Sequence, residues 1–246
     1  MTDIAANLAA VKDRIAVAAR KAGRDPATVR LVAVSKRVEA ERIVQAVAAG
    51  QRLFGENYLQ EAQAKISRVN DLLACGAAGD GMETGAGDGV CWHFIGHLQS
   101  NKTKAAATDF AMVETVDRFK LAKALNRHAA TAGRVLPVLV QVNVGGEAQK
   151  AGVAPEQAAE LLRALAELPA LRVLGLMTMP PMAEDPEESR PHFARLRQLS
   201  EEFAGQDLLG THGPPVLSMG MSADFEVAVE EGANLVRVGT AIFGPR

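Results

Sequence analysis

The sequence predicts an α/β chain closed as a (β/α)8 barrel. Short runs of β-branched and apolar residues alternate with amphipathic helical segments from residue 31 onward, and the strands number eight. An extra helix precedes the first strand, while only eight residues follow the last one at Val238. Helical crossovers require parallel strands, which leaves a barrel or an open doubly wound sheet, and eight strands favour the barrel. The length of 246 residues agrees, since single barrels run to about 250. The N-terminal helix is expected to fill the place in the outer ring that no helix after strand eight can fill.

Ile4, Leu8, Val11 and Ile15 share one face of a first helix from Asp3 to about Ala22, with Gly23 as its stop. Asp25-Pro26 marks a turn. Leu31 to Ser35 is a short continuous apolar run and reads as strand one. Ala40 to Ala49 is helical up to Gly50. Arg52 to Phe54 reads as strand two and Gly55-Glu56-Asn57 as the loop after it. Helical spacing returns from Tyr58 to Leu73. Residues 74–90 are so rich in Gly, Ala and Asp that they cannot bury enough apolar surface to offset ordering; a mobile surface insertion is expected. Strand three is Trp92 to Ile95 and strand four Ala111 to Thr115, with a helix from Asp117 to Ala132. Strand five spans Leu136 to Val144, and Ala154-Pro155-Glu156 opens a helix with proline at a favourable early position. Leu171 to Met177, Val216 to Ser218 and Leu235 to Val238 complete the strands. Helices run from Pro186 to Ala204 and from Ala223 to Glu231. Residues 1–246 are therefore expected to form a single domain.

Composition excludes several function classes. A net charge of −2 gives no field favouring nucleic acid or an anionic membrane, and 4% aromatic residues leave little for base stacking. Cys75 and Cys91 are too few for a disulfide framework and read as free thiols. The first residues lack the basic and continuous apolar regions of a targeting signal, and no apolar run approaches the ~20 residues of a membrane span. A cytoplasmic monomer is the expectation.

Barrel chemistry sits at the C-terminal ends of the strands, where Lys36, Asn57, His97, Gln99, Ser218, Arg237, Gly239 and Thr240 fall. Lys36 follows an apolar strand, a setting that favours the neutral amine of a Schiff-base nucleophile. Gly239 lets a backbone N–H approach an anion, Thr240 adds a hydroxyl, and a short helix beginning near Ala241 would favour phosphate. Ser218-Met219-Gly220-Met221-Ser222, after strand seven, is again small and hydroxyl-bearing. Amine and phosphate cup together point to an aldehyde carrying a phosphate, with pyridoxal phosphate (PLP) the leading candidate. Arg237, two residues before Gly239, shares its face. Arginine only donates, so a pyridine nitrogen facing it stays unprotonated, which weakens the ring as an electron sink. His93 and His97 flank a glycine and lack helical metal-ligand spacing, so no metal site is expected. Glu114 and Asp117 read as a carboxylate pair or as a strand end beside a helix start. Gln141 and Asn143 read as pocket-lining or as a buried polar pair. Lys150 is either an anion contact or a solvated loop lysine.

Six stretches carry a resemblance: LVAVSK (31–36), FGENYLQEAQAK (54–65), WHFIGHLQSNKTK (92–104), LVQVNV (139–144), GLMTM (175–179) and LSMGMSADFEVAVEEGANLVRVGTAIFGPR (217–246). Together they resemble the pyridoxal phosphate homeostasis protein family over almost the whole chain. The resemblance implies a single-domain TIM barrel of PLP fold type III, like the N-terminal barrel of alanine racemase. It implies PLP on Lys36, phosphate-binding positions at Ser218, Gly239 and Thr240, an arginine near the pyridine nitrogen at Arg237, and Asn57 in the pocket-lining FGEN segment. It further implies a carrier acting in vitamin B6 homeostasis, without established turnover and with apo PLP enzymes as clients. The chain departs from the family in its glycine-rich insertion, in His97 where proline is frequent, and in Ala223 where aspartate is frequent.

A carrier also agrees with the residues. A racemase needs two bases on opposite faces, and Tyr58, the only tyrosine, is not an obvious partner for Lys36. The chain ends soon after strand eight, where a racemase would continue into a second domain. The rival readings are a PLP-dependent amino acid racemase completed by His93, His97 or a partner subunit, and a PLP-free Schiff-base aldolase.

Overall fold

A computed structural model describes residues 3–80, 89–147, 151–181 and 183–245, with the side chains of 75–80 left aside. Eight strands close in sequence order into one barrel: β1 (Arg30–Val34), β2 (Leu53–Glu56), β3 (Cys91–Phe94), β4 (Met112–Val116), β5 (Leu136–Gln141), β6 (Leu171–Met177), β7 (Val216–Ser218) and β8 (Leu235–Val238). The closing pair is parallel, with Val32 opposite Arg237 and Ala33 opposite Val238. Around the barrel lie α1 (Ile4–Lys21), α2 (Ala40–Ala48), α3 (Leu59–Asp80), α4 (Thr103–Asp109), α5 (Phe119–Thr131), α6 (Pro155–Ala166), α7 (Arg190–Gly205), α8 (Phe225–Glu230) and α9 (Thr240–Phe243).

Helix α1 occupies the place expected of it. The Asp3 carboxylate caps it by accepting from the Ala6 N–H at 2.9 Å, and its apolar face of Ile4, Leu8, Val11 and Ile15 is buried. Its polar side ties it to the last βα unit. Arg14 makes a two-pronged bond to Glu226 at 2.7 Å and Asn7 donates to the Ile242 carbonyl at 3.0 Å. Just beyond the helix, Arg24 donates to the Val229 and Ala233 carbonyls at the C-terminal end of α8, where cations are favoured.

Period-two alternation sorts the strand side chains. Val32, Met112, Leu139, Met177, Val216 and Leu235 pack together in the barrel interior. Leu31, Ala33, Phe54, Trp92, Phe94, Val138, Leu217 and Val236 belong to the larger core between strands and helices.

Several elements differ from the sequence-based expectation, and β5 ends at Gln141, short of the expected Val144. Gly55 and Glu56 belong to β2 rather than to a loop. A Cβ at Gly55 would come within 2.7 Å of Val32 Cγ1, so the glycine is a tight interior fit. Helix α3 runs on to Asp80, into the glycine-rich stretch expected to be an insertion from residue 74; residues 81–88 of that stretch lie outside the described residues. Helix α4 buries only Thr103, Ala106 and Ala107, too weak an apolar stripe to be read from periodicity.

Candidate functional site

A cavity of about 450 Å³ opens among the C-terminal ends of the strands, within the ~300–1,000 Å³ of small-molecule sites. Lys36, Asn57, Arg237, Gly239 and Thr240 line it, with Val34, Ile95 and Met179 supplying apolar wall. Alternation explains the convergence. Val32, Val34 and Lys36 share the inward face of β1 and its extension, as Gly55 and Asn57 do after β2 and Leu235, Arg237 and Gly239 do at β8. Five of the six residues expected at the site are thus brought together. Asn57 adds a specific feature: its Oδ1 is buried and has no hydrogen-bond partner among the described residues, an acceptor that a ligand hydroxyl would satisfy.

Ser218 is the exception. It is fully buried and does not line the cavity. Its hydroxyl donates to Glu114 Oε2 at 2.5 Å and accepts from Arg237 Nη1, so both its capacities are engaged below the floor. Ser222, four residues on, holds the position expected of Ser218. It lines the cavity, and its Oγ accepts from the Gly239 N–H at 3.2 Å and the Ala241 N–H at 3.5 Å. These are long bonds from two backbone donors at the start of α9, so an incoming phosphate oxygen competes with the hydroxyl for them on favourable terms. The hydroxyl-bearing loop and the end of β7 at Ser218 are both visible in the sequence; which serine faces the cavity depends on the depth of Ser218 in the barrel and on the turn that follows it. Gly220 (φ +90°) turns the chain between them, and a Cβ there would meet Phe225 Cα at 2.9 Å.

Beneath Arg237 a chain of buried polar groups crosses the barrel interior. Arg237, 3% exposed, donates to Ser218 and, through Nη2, to the Thr178 carbonyl at 2.8 Å. Glu114 joins Ser218 to His93, whose Nδ1 lies 2.6 Å from Glu114 Oε1. Burial opposes charge on His93, but its bonds with Cys91 and Glu114 outweigh that cost and raise its pKa to about 9. Burial likewise works against the Glu114 carboxylate, and is outweighed by His93, Arg237 and Ser218, so its pKa falls below the ordinary value. Desolvation lowers that of Arg237 against the pull of Glu114 and Asp224; the guanidinium, among the strongest bases in proteins, stays charged. The result is a cation–anion–cation series whose upper end forms part of the cavity wall.

The other sequence candidates separate. His93 faces the interior below the cavity, while His97 is exposed and lines a neighbouring groove with Tyr58 and Lys102. Tyr58 is 50% exposed and absent from the main cavity lining. Glu114 and Asp117 do not pair, Asp117 being bonded to Arg118. Gln141 and Asn143 donate to the Ala151 and Glu147 carbonyls and brace the loop after β5. Lys150 lies outside the described residues. Cys91 is a free, partly exposed thiol.

Comparison with known proteins gives a consistent family. The sequence profile described as "Alanine racemase, N-terminal domain" matches residues 6–246. The pyridoxal phosphate homeostasis protein of Pseudomonas aeruginosa is 46% identical, the match covering 100% of this chain and 97% of that one. The protein of the same name from Escherichia coli K12 is 43% identical over 100% of this chain and 98% of its own. PipY of Synechococcus elongatus PCC7942, a structure with PLP bound, is 35% identical and superposes with a TM-score of 0.80, covering 98% of this chain and 100% of that one.

Proposed function

Because the chain belongs to the pyridoxal phosphate homeostasis protein family, we propose that it binds PLP at the mouth of its barrel and acts as a carrier in intracellular vitamin B6 homeostasis. The observation that carries this reading is the single cavity lined by a lysine, a buried arginine and the glycine–threonine turn from strands far apart in sequence. PLP, when bound, supplies an aldehyde that can be stored on an amine and handed on.

Each residue has a part derived from its chemistry. Lys36, at the end of the inward face of β1, would hold the aldehyde through its ε-amine, the reversible covalent storage that an amine and an aldehyde supply. Gly239, Thr240 and Ser222 take the phosphate through backbone N–H and hydroxyl donors. Asn57, through its unpartnered Oδ1, would accept a hydrogen bond from the ring hydroxyl. Arg237 would present N–H to the pyridine nitrogen and, being a donor only, would keep a proton off it. That last contact favours storage over turnover, because an unprotonated pyridine withdraws electrons poorly from a neighbouring carbon.

The deciding experiment is transfer. The protein is loaded with PLP, freed of excess, and mixed with an apo PLP enzyme in the presence of a scavenger of free PLP. A carrier restores activity that the same amount of free PLP does not. Restoration at the rate set by free PLP, or the lack of any borohydride-trapped adduct on Lys36, overturns the proposal. A racemase would instead racemise L-alanine or L-serine at rates well above free PLP.

A further inference from the structure

On the outer side of β1 and β2, away from the cavity, lies a buried ion cluster. Lys65 of α3 is 8% exposed and spends all three ammonium protons: on the Ser35 carbonyl at 2.6 Å, Glu56 Oε1 at 2.8 Å and Glu61 Oε1 at 2.6 Å. The Ser35 hydroxyl donates to the same Glu56 oxygen at 2.7 Å. Glu61 in turn accepts from the Arg37 backbone N–H. The cluster therefore grips the residue before Lys36 by its carbonyl and hydroxyl, and the residue after it by its N–H. Arg37 adopts φ +56°, a left-handed conformation that a non-glycine residue keeps only when its surroundings enforce it.

The arrangement is poorly explained as a stabilising ion pair. Glu56 is fully buried, and its Oε2 has no partner among the described residues. Buried pairs of this kind rarely repay their desolvation, and a left-handed Arg37 adds strain. What the cluster does fix is the direction in which the chain leaves β1, and so where the Lys36 side chain starts.

We propose that Lys65, with Glu56 and Glu61, is a positioning device that holds the Lys36 backbone in the one orientation from which its amine reaches the aldehyde. The inference rests on the PLP reading above and deepens it. The cluster holds Ser35 and Arg37 on either side of Lys36 and touches none of the phosphate turns, so it acts chiefly on covalent capture; its one link to the docking side is Glu56, the neighbour of Asn57, which none of the test variants replaces.

The test uses two ligands: PLP, and pyridoxine 5′-phosphate, which has the same ring and phosphate but no aldehyde. In Lys65→Met and Glu61→Ala, PLP affinity and the rate of adduct formation fall about tenfold, the scale of one lost backbone anchor. Pyridoxine 5′-phosphate affinity stays within about twofold. Glu61→Gln keeps an acceptor for the Arg37 N–H and retains most of the wild-type capture rate. Equal losses for both ligands, or no loss for either, overturn the inference. If Lys65→Met does not fold, the partly exposed Glu61 pair decides alone. A wild-type protein that binds both ligands alike and yields no adduct at Lys36 refutes the PLP reading itself, a result distinct from an intact wild type with insensitive variants.

Discussion

The protonated His93 at the base of the interior chain makes stability depend on pH above neutrality. Its pKa is about 9 in the folded protein and 6.5 in an unperturbed imidazole. The folded state binds the proton more tightly, so the contribution is fully present below about pH 6.5 and is lost as pH rises through about 9. At 1.36 kcal/mol per pH unit the whole effect is about 3 kcal/mol. The measurement is a difference between two proteins, which cancels every pH-dependent contribution they share. Urea unfolding of the wild type and of His93→Gln is followed at steps from about pH 6 to about pH 10. Glutamine keeps a donor for Glu114 but cannot titrate. The wild type should lose about 3 kcal/mol more than the variant over this span, with the steepest loss between the two pKa values. NMR titration of the imidazole should give a midpoint well above neutrality. Parallel pH curves for the two proteins, or a midpoint near the ordinary value, would refute the claim that Glu114 and Cys91 overcome the burial of His93.

Lys36→Ala should abolish the visible absorption of PLP-loaded protein and its borohydride-trapped adduct; an unshifted adduct at another lysine would remove Lys36 from its assigned role. Thr240→Val should weaken PLP binding by about 1.5–3 kcal/mol through loss of a charge-assisted bond, checked by titration, while Ser218→Ala should act mainly on stability because that hydroxyl bonds Glu114 and Arg237 below the cavity. Gly96→Ala would bring a Cβ within 2.1 Å of the Asn57 carbonyl oxygen, so it should cost at least ~2 kcal/mol in denaturant unfolding and weaken ligand binding by displacing the Asn57 wall.

The strands were legible because a barrel writes them as short β-branched runs at regular spacing, and β6, β7 and β8 begin and end where the sequence indicates. The clustering of Lys36, Arg237, Gly239 and Thr240 was legible for the same reason: each sits at a strand's C-terminal end. What the sequence did not disclose is which way side chains face once a strand gives way to a turn, and which residues of helix and strand meet. Ser218 and Ser222 are the same residue type in one loop, and only the end of β7 at Ser218, followed by the turn at Gly220, decides that the first is buried and the second faces the cavity. The pairing of Lys65 with Glu56 was hidden because it joins a helix to a strand. In sequence Glu56 reads as part of a loop, where a carboxylate needs no partner, whereas as the last residue of β2 it faces α3.

Strand alternation also explains why each functional residue adjoins its support in sequence. Ser35 and Lys36 are neighbours on opposite faces, as are Glu56 and Asn57, so the outward member of each pair enters the Lys65 cluster while the inward member lines the cavity. At β8 the relation is turned inside: Arg237 meets the cavity with its upper side, and its lower side is held by Ser218 and the Thr178 carbonyl. Lys36 and Arg237 therefore have separate supports, one outside the barrel and one within it. A one-residue slip of β1 or β2 would exchange lining for support and leave Lys36 or Glu56 facing the wrong environment. The tight fit at Gly55, where a Cβ would lie 2.7 Å from Val32 Cγ1, opposes such slips, so the close packing of β1 on β2 is itself a condition of the site's geometry.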